Sequence, residues 1–114
     1  MTTTAEFFSN WEKDQPTFRE QAGEIMKGFG ALFQATMKEG AMTVREKELV
    51  ALGIAVAGRC MPCINLHVKK CVEAGATRAQ VIEAAGVAVM MQGGPAFTHM
   101  PEIIKALDYV APAE

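Results

Sequence analysis

The residues in this sequence best suited to chemistry are Cys60, Cys63 and His67, within the run Cys60-Met61-Pro62-Cys63-Ile64-Asn65-Leu66-His67. Steps of three and four residues return to nearly the same side of a helix, so the three side chains share a face. Pro62 is tolerated in a first helical turn but not deeper, which places the helix start at about Cys60 to Pro62. Cys63 then lies in the first turn, where free backbone N–H groups and the helix dipole favour a thiolate. His67 follows one turn later on the same face, within reach of the Cys63 sulfur. A redox-active dithiol needs this arrangement.

A second part of the pattern lies upstream, in Thr43-Val44-Arg45-Glu46-Lys47-Glu48. Glu48, eleven residues, Cys60-Met61-Pro62-Cys63, three residues and His67 together resemble the signature of the AhpD-like alkylhydroperoxidases of the carboxymuconolactone decarboxylase family. Glu73-Ala74-Gly75-Ala76-Thr77, Val81-Ile82-Glu83-Ala84 and Gly93-Gly94-Pro95-Ala96 are also similar to that family, so the resemblance runs from about Phe29 to Ala96. It implies a thiol peroxidase acting on hydrogen peroxide or an organic hydroperoxide. Cys63 would attack the peroxide and become a sulfenic acid, and Cys60 would resolve it as a disulfide. Glu48 and His67 map onto a proton relay, and a partner dithiol, thioredoxin-like or lipoyl-bearing, would restore the thiols. No cofactor is implied, and the family suggests trimers or hexamers. Alkylhydroperoxidases of this type carry a second histidine just before the attacking cysteine, where this chain has Pro62, so the relay is shortened. Decarboxylases of the family usually lack the C-x-x-C, which argues against lactone decarboxylation.

Each of these residues also has a plainer reading. By position alone, Glu48 in the first two turns of a helix would complement the dipole and meet solvent. Cys60 and Cys63 taken singly could be small buried hydrophobes, and His67 a surface or core histidine. Cys60, Cys63, His67 and Cys71 form a C-x2-C-x3-H-x3-C spacing superficially like a zinc knuckle. Side chains on one continuous helix diverge along its axis and surround a tetrahedral ion poorly, so metal binding is the lesser alternative. A dithiol-exchange protein or a scaffold without peroxide turnover is the other. Cys71 reads as a buried small residue, His99 as a surface or interface residue at a loop, and the eight methionines as adaptable filler.

The elements that must position these groups read as all-α, with five to seven helices. The 114 residues suit a single domain over 1–114, and half of them are hydrophobic. Ala, Met and Gly are plentiful and aromatics few, as closely packed helices require. A net charge of −2 with scattered Lys and Arg gives no basic stripe for nucleic acid. No run approaches the roughly 18 apolar residues of a membrane span. Met1 to Glu6 has neither a basic nor an apolar leader segment, so a cytoplasmic protein is expected. A short apolar chain buries its own surface poorly, which predicts a homo-oligomer.

Along the chain, Phe7, Phe8 and Trp11 are spaced as a short N-terminal helix or arm. Pro16 predicts a helix start at Asp14 or Gln15, followed by Phe18, Ala22, Ile25, Met26 and Phe29 at helical period. Gly28 and Gly30 predict a break or kink, and Gly40 the end of the segment. Thr43 and Glu46 form a capping box opening a helix to about Gly58, apolar almost all round and expected to be the most buried. A helix from about Met61 to Ala74, closed by Gly75, carries the dithiol. Thr77 and Gln80 open the next, which runs to about Gln92. Pro101 divides the remainder into a short turn and a helix to about Val110.

Overall fold

Four of the helix starts are set by side chains that satisfy free backbone N–H groups, those of Thr3, Thr43, Cys60 and Thr77. In the computed structural model, which describes residues 3–112, Thr43 Oγ1 accepts from the Glu46 N–H at 3.1 Å, and Glu46 Oε1 accepts from the Thr43 N–H at 2.8 Å. Bonding from the Thr43 backbone N–H, and secondarily from its hydroxyl, holds the Glu46 carboxyl below its usual pKa. Thr77 and Gln80 repeat the reciprocal pair, and a cap of this kind is worth about 1 kcal/mol. Cys60 caps the third start, its sulfur accepting from the Cys63 N–H at 3.3 Å. Met1 and Thr2, the start of the N-terminal stretch read above for a leader, lie outside the described residues.

The order is α1 (Thr4–Met37), α2 (Val44–Ala57), α3 (Met61–Glu73), α4 (Arg78–Gln92), α5 (Gly94–Phe97) and α6 (Met100–Val110). Among the described residues there is no strand, and the fold is all-α. The core is drawn from one side of each of α2 to α6: Leu52 and Val56, Ile64 and Val68, Val81 and Ala85, Ala96, Ile103 and Leu107. Small residues let α2 and α4 approach closely, and a Cβ added at Gly53 would stand 3.7 Å from the Ala84 carbonyl oxygen.

Helices α2 and α3 end in the same way. At the end of α3, Gly75 (φ 93°) donates to the Val72 carbonyl and Ala76 to that of Cys71, a paired closure that needs a left-handed residue. At the end of α2, Arg59 donates to Val56 and Cys60 to Ala55, and the left-handed residue is Arg59 itself (φ 53°). Relative to glycine, a side chain in that conformation costs about 1 kcal/mol.

The N-terminal third departs from expectation. A separate arm, a start at Asp14 or Gln15 and a break at Gly28 to Gly30 were expected; α1 instead runs from Thr4 through Pro16 to Met37. Its one non-helical residue is Ala22 (φ −136°, ψ 37°). Nothing lies within 4 Å of a Cβ built at Gly28 or Gly30. No neighbour pushes on those turns, and the propensity cost of glycine, about 1 kcal/mol, does not by itself break a helix. Lys38 rather than Gly40 ends it, and Lys47 Nζ takes up the Thr36 and Lys38 carbonyls at 2.8 and 2.6 Å.

Helix α1 meets the body near its two ends. Phe8 is buried and stacks on Tyr109, with ring centroids 5.1 Å apart. Lys70 Nζ lies 4.9 Å from the Phe33 ring. Between them Phe18, Ile25 and Phe29, expected at helical period, stand exposed, and Leu32 with them. Helix α2 is likewise not buried all round, since Val50 and Ile54 remain 51% and 68% exposed. Its apolar outer side and that of α4 instead line an open groove of about 430 Å³.

Candidate functional site

Helix α3 presents the dithiol. Pro62 occupies the first turn, where a missing N–H costs nothing, and Cys63 follows with its own N–H directed at Cys60 Sγ. Cys60 and Cys63 are joined as a disulfide with a Cα–Cα distance of 5.2 Å, and both residues are half-buried. The sequence reading of Cys60 at the helix start and Cys63 in the first turn matches these positions.

Packing of α2 on α3 through Leu52, Val56, Ile64 and Val68 brings Glu48 against His67. His67 Nδ1 and Glu48 Oε1 are 2.7 Å apart across nineteen residues of sequence. Glu48 is only 4% exposed, so its local reading as a solvated, dipole-complementing side chain does not hold. A buried carboxylate requires a partner, and the imidazole supplies it. An ionised carboxylate can only accept, so with Glu48 ionised the bond is donated by Nδ1–H, and Nε2 is the ring nitrogen left for other work. Glu48 also borders a cavity of about 480 Å³ at the C-terminal end of α1, lined by Phe33, Gln34, Met37, Lys38 and Val44.

Cys71 points into the core, fully buried, as expected. Burial, and secondarily the Glu48 charge, push its thiol up to about 12. It therefore stays protonated and unreactive at neutral pH. Among the described residues no three His, Cys, Asp or Glu side chains come together as a metal-binding group. His99 is half-buried just ahead of α6.

Sequence reasoning passed over Arg59. A glycine-shaped position filled by arginine is invisible until the backbone is known. The only available signal was that no glycine stands between the Gly58 cap and Cys60.

Fold and site together define an all-α protein bearing a C-x-x-C disulfide at a helix N-terminus, backed by a buried glutamate bonded to a half-buried histidine. The family model described as carboxymuconolactone decarboxylase family matches residues 23–106, and the chain belongs to that family. A similar sequence is an uncharacterised protein of the cox locus of Paracoccus denitrificans, 37% identical over 86 residues, or 75% of this chain and 78% of the relative. Among solved structures, a carboxymuconolactone decarboxylase family protein from Legionella pneumophila superposes with a TM-score of 0.88 at 34% identity, covering 95% of this chain and 96% of that one. A family protein from Thermotoga maritima, for which involvement in an antioxidative response has been suggested, gives 0.79 at 25% identity over 90% and 88% of the two chains.

Proposed function

We propose that this chain is a thiol-dependent peroxidase that reduces hydrogen peroxide or an organic hydroperoxide through Cys60 and Cys63. The observation that carries the reading is the 2.7 Å Glu48–His67 contact beside the helix start that bears the disulfide. Family membership and the Thermotoga neighbour's suggested antioxidative role support it.

In this reading, reduced Cys63 loses its proton to His67 Nε2, with Glu48 stabilising the imidazolium through Nδ1. The thiolate attacks the nearer peroxide oxygen, the O–O bond breaks, and the leaving alkoxide or hydroxide takes the proton back from His67. Cys63 is now a sulfenic acid. The Cys60 thiol displaces its hydroxyl as water and closes the disulfide. A dithiol partner, thioredoxin-like or lipoyl-bearing, then supplies two electrons and two protons. No nucleic acid takes part, and the setting is the cytosol. No described helix is long and apolar enough to cross a membrane.

A homo-oligomer belongs to the same proposal. Ile25, Phe29 and Leu32 form a ridge on α1, each 62–70% exposed, and Val50, Ile54, Val87 and Met91 line the α2–α4 groove at 51–70%. In this proposal the ridge of one copy docks in the groove of another. A persistent interface typically buries more than about 1,000 Å², which sets what such a contact must supply.

Exposed Pro62, standing where a second relay histidine would be, favours one rival: dithiol exchange with negligible peroxide turnover. Steady-state peroxide consumption with dithiol donors decides between them. Wild type is expected to turn over and Cys63→Ser not to. In Cys60→Ser, one equivalent of peroxide is expected to leave a dimedone-reactive sulfenic acid on Cys63. Absence of both turnover and adduct would sink the peroxidase reading, and an adduct on Cys60 in Cys63→Ser would reverse the roles.

A further inference from the structure

We infer that Arg59 is the residue through which the Cys60–Cys63 disulfide selects an anionic reductant. The inference rests on the reading of the site as a disulfide reduced from outside, and not on the identity of the oxidant.

The chain supplies its own comparison. The same helix closure is built twice, once with Gly75 and once with Arg59 in the left-handed position. Glycine is the residue that conformation favours, and Arg59 is the only described non-glycine residue with a positive φ. Backbone geometry therefore does not account for the arginine. Contacts within the fold do not account for it either. Arg59 is exposed, and the ion pairs among the described residues are His67–Glu48, Arg78–Asp108 and Lys105–Glu102.

Its place relative to the sulfurs supplies the account. Arg59 immediately precedes half-buried Cys60 and is itself exposed, as are Gly58 before it and Pro62 between the two cysteines. Between Glu48 and His67 it is the only charged side chain in the sequence. A reductant approaching the sulfurs thus meets one unpaired positive charge and no negative charge from that segment, on a chain whose net charge is −2. Guanidinium is suited to a carboxylate, sulfonate or phosphate carried beside the attacking thiol.

The step itself is ordinary exchange. A donor thiolate attacks one sulfur of the disulfide and the other cysteine leaves as a thiolate. A second donor thiol displaces the donor from the mixed disulfide. The donor pair is oxidised to its disulfide by two electrons, and the two donor protons end on Cys60 and Cys63. Arg59 adds attraction for the charged donor during approach, and it lowers the energy of the thiolates that form.

The test follows reduction of the oxidised full-length protein without peroxide, by alkylation and mass, using 2-mercaptoethanesulfonate and 2-mercaptoethanol. These thiols are close in size and differ in charge. The readout is the ratio of the two rates, so each protein serves as its own reference. At low ionic strength the wild-type ratio is expected to exceed that of Arg59→Gly by about three- to fivefold, the effect of one exposed charge. Arg59→Lys should keep most of the preference, and Arg59→Glu should fall below Arg59→Gly. Approaching 1 M salt, where screening acts within about 3 Å, the wild-type advantage should vanish. Arg59→Gly places the favoured residue in the turn, so the comparison does not depend on a destabilised variant. Equal ratios in wild type and Arg59→Gly, or a wild-type preference indifferent to salt, overturn the inference. A preference that holds in a protein that consumes no peroxide supports it, and refutes the peroxidase reading instead.

Discussion

Replacing Glu48 and His67 singly and together tests whether they act as one unit. Their 2.7 Å contact joins a carboxylate side chain that is 5% exposed to an imidazole that is 20% exposed. In such a setting a hydrogen bond to a charged group is worth about 1.5–3 kcal/mol. Glu48→Gln keeps the shape and an accepting oxygen but removes the charge that steadies the imidazolium. At 1.36 kcal/mol per decade, the rate at which reduced protein reacts with peroxide should fall by roughly 10- to 150-fold. His67→Ala removes the base itself and should cost about 10²–10⁴-fold. Because the carboxylate acts only through the imidazole, the double variant should be no slower than His67→Ala. The assay is single-turnover oxidation of pre-reduced protein, quenched by alkylation, with circular dichroism to confirm that the helices persist. Wild-type rates in both single variants, or losses that multiply in the double, would refute the relay.

Two further outcomes test the assembly and the buried thiol. Light scattering at micromolar concentration should give a multiple of the chain mass, and Ile25→Glu or Ile54→Glu should lower it by placing a charge in the ridge or the groove; a wild-type mass of one chain removes the proposal. Cys71 ionises at about 8.5 when unfolded but is pushed up to about 12 in the fold, so its contribution to stability is whole below pH ~8.5 and is lost as pH rises toward 12. Denaturant titrations of Cys71→Ala should therefore decline less steeply with pH above ~9 than those of wild type, by at most ~1.4 kcal/mol per unit; parallel curves would mean that the thiol is not held neutral.

What the sequence determined by itself was local. Capping boxes at Thr43 and Thr77, the proline in the first turn of α3 and the glycine closing it are decided by bonds spanning three to five residues. Those bonds exist wherever the chain turns that way, so the boundaries of α2, α3, α4 and α6 were legible. The placement of Cys60, Cys63 and His67 on one helix followed from the same short range. Tertiary structure decided the rest. Glu48 reads as a solvated acid in the first two turns of α2 until α3 covers it, because burial depends on what packs against a helix face and not on the face. Only α2 meeting α3 turns a spacing of nineteen residues into a 2.7 Å contact. The same dependence misled the reading of α1 and α2: an apolar face is a demand for a neighbour, and sequence does not say which one. Ile25, Phe29 and Ile54 carry that demand to the outside of the chain. Arg59 is the sharpest case, since its left-handed backbone is set by the angle at which α2 must hand the chain to α3, a property that no side chain within reach of Arg59 in sequence specifies.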